Sequence, residues 1–404
     1  MNKLLYISYF APYDRVDHAG GKVHNFYIKK LQKEEAYDVT LLTMCYVQEV
    51  EKLDLEQYGI RHELVVLDHS KFQRYLRMFV SGFSYFNPWD AYSGILLNYE
   101  RYRLKKMISS YARKNEKPDL IILQWTQIIL LMPFIRKLYP DVPIVAIEED
   151  VLFLNYQRRI SLAKSTYAKK IAEFQYRNVK KKELAALEMA QLTVTNNPKD
   201  GRLLIENDID REKVFVSSVY FENYNSVQRQ CENRDILFYG AMYRDENHMS
   251  AVWFIEKVLP LLPEEFRFVV AGTRPRKELL AMQSDRVKVL GFVEDIGPYF
   301  QTCICLAAPL RLGAGIKVKI LEAMSAGVPV LTNDIGIEGI EATPGKEYLH
   351  CNTQKEYADA ICRLYHNQEE AAKIGMQGRE YVKDHFDLEQ KYQELLEKIA
   401  CELL

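Results

Sequence analysis

Short strand-like runs alternate with amphipathic stretches along the whole chain, and the pattern restarts once near Asp235. No other feature limits the fold as strongly. Leu4 to Phe10, Asp38 to Met44, Leu120 to Leu123, Ile144 to Ile147 and Gln191 to Thr195 are brief and apolar. Helical patterns separate them, from about Val23 to Lys33 after the pair Gly20-Gly21, and from about Ala163 to Ala190. Strands divided by helices pair in parallel, which predicts a doubly wound sheet. After Asp235 the series repeats with Ile236 to Tyr239, Phe266 to Ala271, Val287 to Leu290, Ile304 to Ala308 and Val328 to Thr332. Helices are expected over Met249 to Leu262 and Ile316 to Ser325. The expected architecture is α/β with two Rossmann-like domains, at 1–222 and 234–386. A polar linker (223–233) joins them, and a C-terminal helix fills 387–404. A chain of 404 residues is too long for one compact core, which agrees with two domains.

Charge narrows the partners. Lys plus Arg (54) nearly equals Asp plus Glu (55), so a nucleic-acid binder is not expected. The seven cysteines are scattered, with none in a CxxC; Cys303 and Cys305 fall in one apolar run. Buried thiols in a reducing compartment fit better than a disulfide framework or a zinc site. The start of the chain lacks a secretory pattern, and no apolar run is long enough to span a bilayer. The expectation is a cytoplasmic protein, free or resting on the inner face of a membrane.

The segment from Pro309 to Val330, PLRLGAGIKVKILEAMSAGVPV, carries the most chemistry. Gly313, Ala314 and Gly315 are small residues between a strand and a helix. They let backbone N–H groups face an anion at the helix N-terminus. Arg311 lies just before the turn. Lys319 and Glu322 are three residues apart and share a helix face. A cation and a carboxylate so placed suit a nucleoside diphosphate, with Lys319 on phosphate and Glu322 on the ribose hydroxyls. A plain strand–turn–helix with a solvated Lys–Glu pair explains the pattern equally well. The turn is a poor dinucleotide fingerprint, because a third glycine and a later acidic residue are missing.

This segment resembles the signature of GT-B glycosyltransferases of the large retaining family 4, the glycosyl transferases group 1. LEAMSAGVPVL is the specific part, and the resemblance continues through DILFYGAMYRDENHMSAVWFIEKVLPLL, FRFVVAGTRP and VKVLGFVEDIGPYFQTCICLAAPL. The first half matches more loosely, at ISYFAPY…AGGKVHNFYIKKL and ELAALEMAQLTVTNNPKDGRLL. The resemblance implies two domains facing each other across a cleft, with the C-terminal helix returning to the N-terminal domain. It implies that Glu322 contacts the donor ribose and that Phe292 and Val293 lie near the nucleobase. It also implies a retaining transfer in which the diphosphate helps deprotonate the acceptor. Two departures stand out. The first Glu of the family's Glu-x7-Glu is Ala314 here. The Arg and Lys that grip the diphosphate correspond to Ala241 and Asn247. A subgroup form, PLRxGxGxKxKxLEAM, fits better, and in it Arg311 and Lys319 supply the missing cations.

Other candidates lie in the first half. Glu148-Glu149-Asp150 ends a strand, where α/β sites form. Asp150 is the expected contact to acceptor or donor sugar, against the alternative of a solvated acidic cluster. Gly20 and Gly21 would let the first loop approach a phosphate or the acceptor. Asp208-Ile-Asp210 spells a DxD far from the donor signature and reads as a decoy. His18, His24 and His248 lack ligand spacing, and no essential metal or cofactor is expected. Residues 70–114 hold Arg74, Arg77, Phe79, Phe83, Phe86, Trp89, Arg101, Arg103, Lys105 and Lys106. Residues 155–182 hold nine Lys or Arg against one acid, Glu173. Both stretches suit an anionic membrane surface, or else form solvated helix faces.

The function expected is transfer of a sugar from a nucleotide sugar to a hydroxyl of a surface or lipid-linked glycan, as in capsule, O-antigen or exopolysaccharide assembly. A catalytically degenerate partner or scaffold, and a sugar-nucleotide epimerase, are the alternatives.

Overall fold

The computed structural model describes the chain apart from residues 15, 17, 18, 69–94, 164, 231, 232 and 314. It forms two compact units. One is Met1–Tyr220 with Leu388–Leu404, and the other is Phe221–Asp387.

The first unit holds a seven-stranded sheet of β1 (Asn2–Ser8), β2 (Tyr37–Tyr46), β3 (Arg61–Leu67), β4 (Leu120–Gln124), β5 (Ile144–Glu148), β6 (Leu192–Thr195) and β7 (Val214–Val216). Its order is β3-β2-β1-β4-β5-β6-β7, with every pairing parallel. Strand periodicity explains why helices cover both faces. Leu5 and Ile7 join one core with Leu104, Ile108 and Leu187. Leu4 and Tyr6 join the opposite core with Val23, Tyr27 and Ile28. The C-terminal helix Leu388–Glu402 adds Leu388, Tyr392, Leu395 and Ile399 to that second core.

The second unit holds β8 (Asp235–Tyr239), β9 (Arg267–Ala271), β10 (Val287–Gly291), β11 (Cys305–Ala308), β12 (Val330–Thr332) and β13 (Leu349–His350). Its order is β10-β9-β8-β11-β12-β13, again all parallel. Phe238, Phe254 and Phe268 fill its centre, the last two stacked at 4.1 Å. In both sheets the strand order reverses beside the first strand of the unit, between β1 and β4 and between β8 and β11. Such reversals open a crevice at the carboxyl edge, where α/β folds bind ligands.

Several element boundaries differ from the sequence reading. Gly20 and Gly21 belong to the first turn of the helix Ala19–Lys33 and are not a loop. Glycine's helix cost is outweighed here by packing. The long helix expected from about Ala163 to Ala190 is the single helix Thr166–Glu188, capped by Ser165, which accepts the Ala168 N–H at 3.2 Å; the sequence reading does not mark the separate helix Leu152–Leu162 before it. The helix expected to Leu262 is regular only over Asp245–Trp253. It then widens by one turn at Phe254–Val258 and tightens at Leu259–Leu261, where Pro260 lacks an N–H. The polar segment after Phe221 is tied to the second unit. Tyr224 N–H donates to Ser325 Oγ at 3.0 Å, and Gln230 N–H to Gln301 O at 2.8 Å.

Two buried carboxyls sit beneath the helix Leu152–Leu162. Glu183 accepts the N–H groups of Leu152 and Phe153, at 2.7 and 2.8 Å, and so holds the start of that helix, while burial raises its own carboxyl to about 8 against those two bonds. Glu148 accepts a hydrogen bond from Thr126, and its other oxygen has no partner among the described residues. Burial, and then the charge of Glu183, push the Glu148 carboxyl well above its ordinary value. The folded chain therefore keeps a proton that the unfolded chain releases, and stability falls as pH rises above the ordinary carboxyl range. Glu148→Gln imitates the protonated form. Thermal and urea melts should show the variant gaining on the wild type by up to about 1.4 kcal/mol per pH unit between pH 6 and 8. Parallel pH profiles for the two proteins would refute this account.

Candidate functional site

The candidate site of the second unit lies at the carboxyl edge of its sheet. It is built on two glycines that follow strands. Gly240 ends β8 with φ 150° and Gly272 ends β9 with φ 145°. A Cβ on Gly272 would lie 1.6 Å from the Gly240 carbonyl oxygen. A Cβ on Gly240 would lie 2.8 Å from both Lys319 Nζ and Asn247 Nδ2. Neither position tolerates a side chain, and the bare backbone leaves room for the lysine. Backbone bonds from Gly240 N–H to Ala271 O (3.0 Å) and from Gly272 N–H to Gly291 O (2.6 Å) extend the pairing just beyond the strands.

Lys319 comes from the helix Val318–Ser325, whose N-terminus follows the loop after β11. Its Nζ donates to Asn247 Oδ1 at 2.5 Å and lies 4.6 Å from the centroid of the Phe238 ring. Asn247 is buried and fixed by its own donation to Ala241 O at 3.1 Å. No carboxylate of the described residues lies within ion-pair distance of the lysine. Burial pushes its pKa down to about 7, against the pull of Glu246 and Glu322 and with the push of Lys317 and Arg244. An amine so placed gains from any anion that reaches it.

One helical turn on, Glu322 is almost fully buried and lines a cleft with Tyr224, Tyr239, Thr273, Phe292 and Val293. Tyr239 donates to Glu322 Oε2 at 2.6 Å. Phe292 is 72% exposed and stands at the rim as a free aromatic face. Gly313 and Gly315 lie in the loop before the helix, and Lys317 Nζ donates to Gly315 O at 2.5 Å. Arg311 is exposed, with its guanidinium 5.5 Å from the Trp253 ring centroid. Ala314 lies outside the described residues.

The structure thus gathers Asn247, Lys319, Glu322, Phe292 and Val293 about one edge, with Gly313 and Gly315 on the adjoining loop. The sequence reading missed Tyr239, Gly240 and Gly272 as members of this site. Its signal was present, since strands ending at Gly240, Gly272 and Gly291 mark places where backbone meets backbone or ligand.

Residues 233–367, which contain this edge, match the family model described as Glycosyl transferases group 1. A curated protein of Klebsiella pneumoniae, described as an uncharacterized 44.6 kDa protein in cps region, is 23% identical over 168 residues. That match covers 38% of this chain and 43% of that protein, so the chain spans less than half the length of the curated relative. Among solved structures, Anabaena HepE in complex with UDP has a TM-score of 0.69 at 14% identity, covering 99% of this chain and 100% of that one. Sucrose-phosphate synthase of Thermosynechococcus elongatus has a TM-score of 0.66 at 14% identity, covering 98% of each chain. The two parallel-sheet Rossmann-like domains are those of the GT-B fold.

A second polar cluster lies at the carboxyl edge of the first unit's sheet. Glu149 follows β5 and is half-buried. It accepts from Gln124 and, at 2.7 Å, from Asn196 Nδ2. Burial raises its carboxyl to about 8, Asp150 adds to the rise, and the two amide donors oppose it. A Cβ on Gly20 would lie 3.1 Å from Glu149 Oε2, so Gly20 keeps the helix Ala19–Lys33 close to this carboxyl. Gly21 is buried in the same turn. Asp150 itself is exposed. His24 is fully buried, with Tyr6 and Trp125 rings 5.2 and 5.0 Å away. Trp125 has φ 71°, a strained value for a non-glycine residue, next to Gln124. Glu149 was hidden in sequence because three acids in a row give no sign of which one is enclosed.

The other sequence candidates have local roles. Asp210 accepts the Glu212 N–H at 3.0 Å and caps the turn Arg211–Lys213. His248 bonds Glu278 at 3.0 Å. His18 lies outside the described residues.

Gly272→Ala should lower folding stability by about 2 kcal/mol or more, since the new methyl overlaps a carbonyl and the backbone is left-handed. Thermal melting checks it, and a midpoint unchanged from wild type would show that the two strand ends do not meet as described.

Proposed function

We propose that the chain transfers a sugar from a nucleoside-diphosphate sugar to a hydroxyl acceptor, with retention at the anomeric carbon. The observation that carries the reading is the half-buried Lys319 amine, held over the bare backbone of Gly240 by Asn247, one helical turn from Glu322. It lies in the segment that matches the group 1 glycosyltransferase model. Lys319, the amides at the start of its helix and Arg311 would stabilise charge that builds on the departing diphosphate. Gly313, Ala314 and Gly315 would let the loop close on the phosphates. Glu322 would hold the ribose, with Phe292 and Val293 beside the base. Asn247 stands where many relatives carry a cation, and it seats the lysine supplied by another helix.

The nucleotide sugar is the substrate in this reading, with no cofactor and no metal. Support for a nucleotide donor comes from HepE, which has been crystallised with UDP and with UDP-glucose. The proposed acceptor is a lipid-linked or surface glycan, a reading that the cps-region relative supports. Gly20, Gly21, Asp150 and the enclosed Glu149 are proposed to orient the acceptor hydroxyl. Retention rests on the resemblance to retaining family 4.

Lys319 also sets a pH dependence. Free, it titrates at about 7; a bound diphosphate favours its charged form and raises that value. Binding therefore takes up a proton, and affinity falls as pH rises above 7, by at most about tenfold per unit. A thermal-shift and calorimetric screen of UDP-, GDP-, ADP- and CMP-sugars should find one that stabilises the wild type, with this slope. Lys319→Ala should lose the stabilisation, and Lys319→Arg should keep binding but flatten the slope. No binding of any donor would defeat the reading in favour of a scaffold. Conversion of the donor sugar without acceptor would point to an epimerase.

We further propose a peripheral membrane contact on the first unit, with the protein at the inner face of the membrane. Among the described residues no helix is long and apolar enough to cross a bilayer. The helices of 155–182 pair cations with rings: Lys180 lies 5.5 Å from the Phe153 ring centroid and Arg159 lies 4.5 Å from that of Tyr156. Tyr167 is 76% exposed. Of 70–114, residues 70–94 lie outside the described residues, and the helix Asn98–Lys114 exposes Tyr102. Vesicles with anionic lipid should sediment the protein, and Lys169→Glu with Lys170→Glu should reduce this severalfold. Equal sedimentation with neutral vesicles would count against the contact.

A further inference from the structure

A second cavity of the C-terminal unit, of about 470 Å³, lies between the segment after Phe221 and the helix Gln368–His385. Ile304, just before β11, and Gly327, shortly before β12, both line it. They place it at the amino edge of the sheet, away from the edge that carries Lys319. Arg229 and Arg379 line it too, and none of its lining residues is acidic.

Both guanidiniums donate to neutral acceptors. Arg229 bonds Phe300 O and, at 2.6 Å, Cys303 O. Arg379 bonds Ala326 O at 2.6 Å and Val227 O at 2.9 Å. Most of these carbonyls end the helices Gly297–Thr302 and Val318–Ser325, so each arginine caps a helix C-terminus. Capping explains the bonds but leaves two charges on one cavity without a counter-ion. Among the described residues neither arginine has a carboxylate within ion-pair distance, whereas Arg267 of the same unit pairs with Asp235 at 2.6 Å. Arg379 Nε is buried without an acceptor among the described residues. Burial, and then the charge of Arg229, push the Arg379 guanidinium below its ordinary value, as expected of a cation that lacks an anion.

Glycine seats this guanidinium. Gly327 has φ 72°, and a Cβ on it would lie 2.9 Å from Arg379 Nη2 and 3.1 Å from Nε. A Cβ on Gly375 would lie 2.2 Å from Gly327 O. Helix and loop therefore meet through bare backbone, and the arginine is fixed against it.

We propose that this cavity binds a phosphate monoester, with the phosphoryl group taking the place of the missing carboxylate beside Arg229 and Arg379. The planar fork of a guanidinium matches phosphate oxygens, and two such cations meet the roughly two negative charges of a monoester at neutral pH. The walls suit an organic part next to the phosphate. Leu364 and Met376 are apolar, and Gln228 and Gln368 bring amides for hydroxyl groups. The volume falls within the roughly 300–1,000 Å³ of small-ligand sites. The site is separate from the donor site and does not depend on it.

The test is calorimetric titration of the whole chain with inorganic phosphate, glycerol 3-phosphate and glycerol, at constant ionic strength in chloride. Glycerol 3-phosphate should bind, phosphate more weakly, and glycerol not at all. Lys319→Ala should keep this binding, because the donor site lies at the other edge. Ala372→Glu changes an exposed residue that lines the cavity and supplies the carboxylate from within. It should weaken glycerol 3-phosphate by at least about tenfold. Ala372→Gln, of equal size and no charge, should leave it unchanged. Gln368→Glu, in the first turn of the same helix, makes the same comparison should Ala372→Glu fail to fold. Phosphatidic acid vesicles present the same group on a lipid. If Ala372→Glu weakens sedimentation with them, the phosphate belongs to a lipid and the site stands; if it weakens only the soluble ester, the ligand is a soluble ester. The site is refuted if the wild type binds neither phosphate, if binding survives both carboxylate variants, or if Lys319→Ala abolishes it.

Discussion

The contact between Gly240 and Gly272 is the constraint on which the second unit's site depends. Parallel strands end at their carboxyl edge with backbone groups that must still be paired. Here β8 and β9 continue their bonding one step beyond the strands, and the two glycines pass closer than any Cβ allows. The result is a stretch of bare backbone at the β8/β11 reversal. Lys319 Nζ and Asn247 Nδ2 both lie over it, in the space that a Cβ on Gly240 would take. Asn247 and Phe238 then hold the amine by a neutral hydrogen bond and a ring face.

Three ionisable groups show the same physics at different places. Lys319, Glu148 and Glu149 are all removed from water with partners that do not carry the opposite charge in contact. Each is pushed toward its neutral form. Only two of them lie where a ligand has access. Lys319 adjoins the cleft that holds Glu322, and Glu149 adjoins Gly20 at the edge of the first sheet. Glu148 is sealed beneath the helix Leu152–Leu162 and serves the fold. A shifted carboxyl or amine marks a functional site only when it is also reachable.

Much of the architecture was legible in the sequence. Strand runs of period two and helical runs between them imply parallel sheets with helices on both faces, and β1 splits Leu4 and Tyr6 from Leu5 and Ile7 as that pattern requires. The restart near Asp235 marked the second sheet. Helix boundaries were less legible. Ala19 to Val23 joined a helix despite two glycines, and the expected helix through Leu262 loosened before Pro260. Packing against a formed sheet decides such ends, and a local pattern does not contain that packing.

The sequence alone determined the fold class, the order of the elements and the segment that carries Lys319 and Glu322. Their spacing placed both on one helix face, since the helical period is fixed by backbone geometry. Tertiary structure decided what those residues meet. Tyr239 is 83 positions from Glu322, and Asn247 is 72 from Lys319. Glu149 differs from its acidic neighbours only in what β4 and β6 bring beside it, Gln124 and Asn196. Such encounters depend on strand order and register, which join residues distant in the chain and leave no local trace.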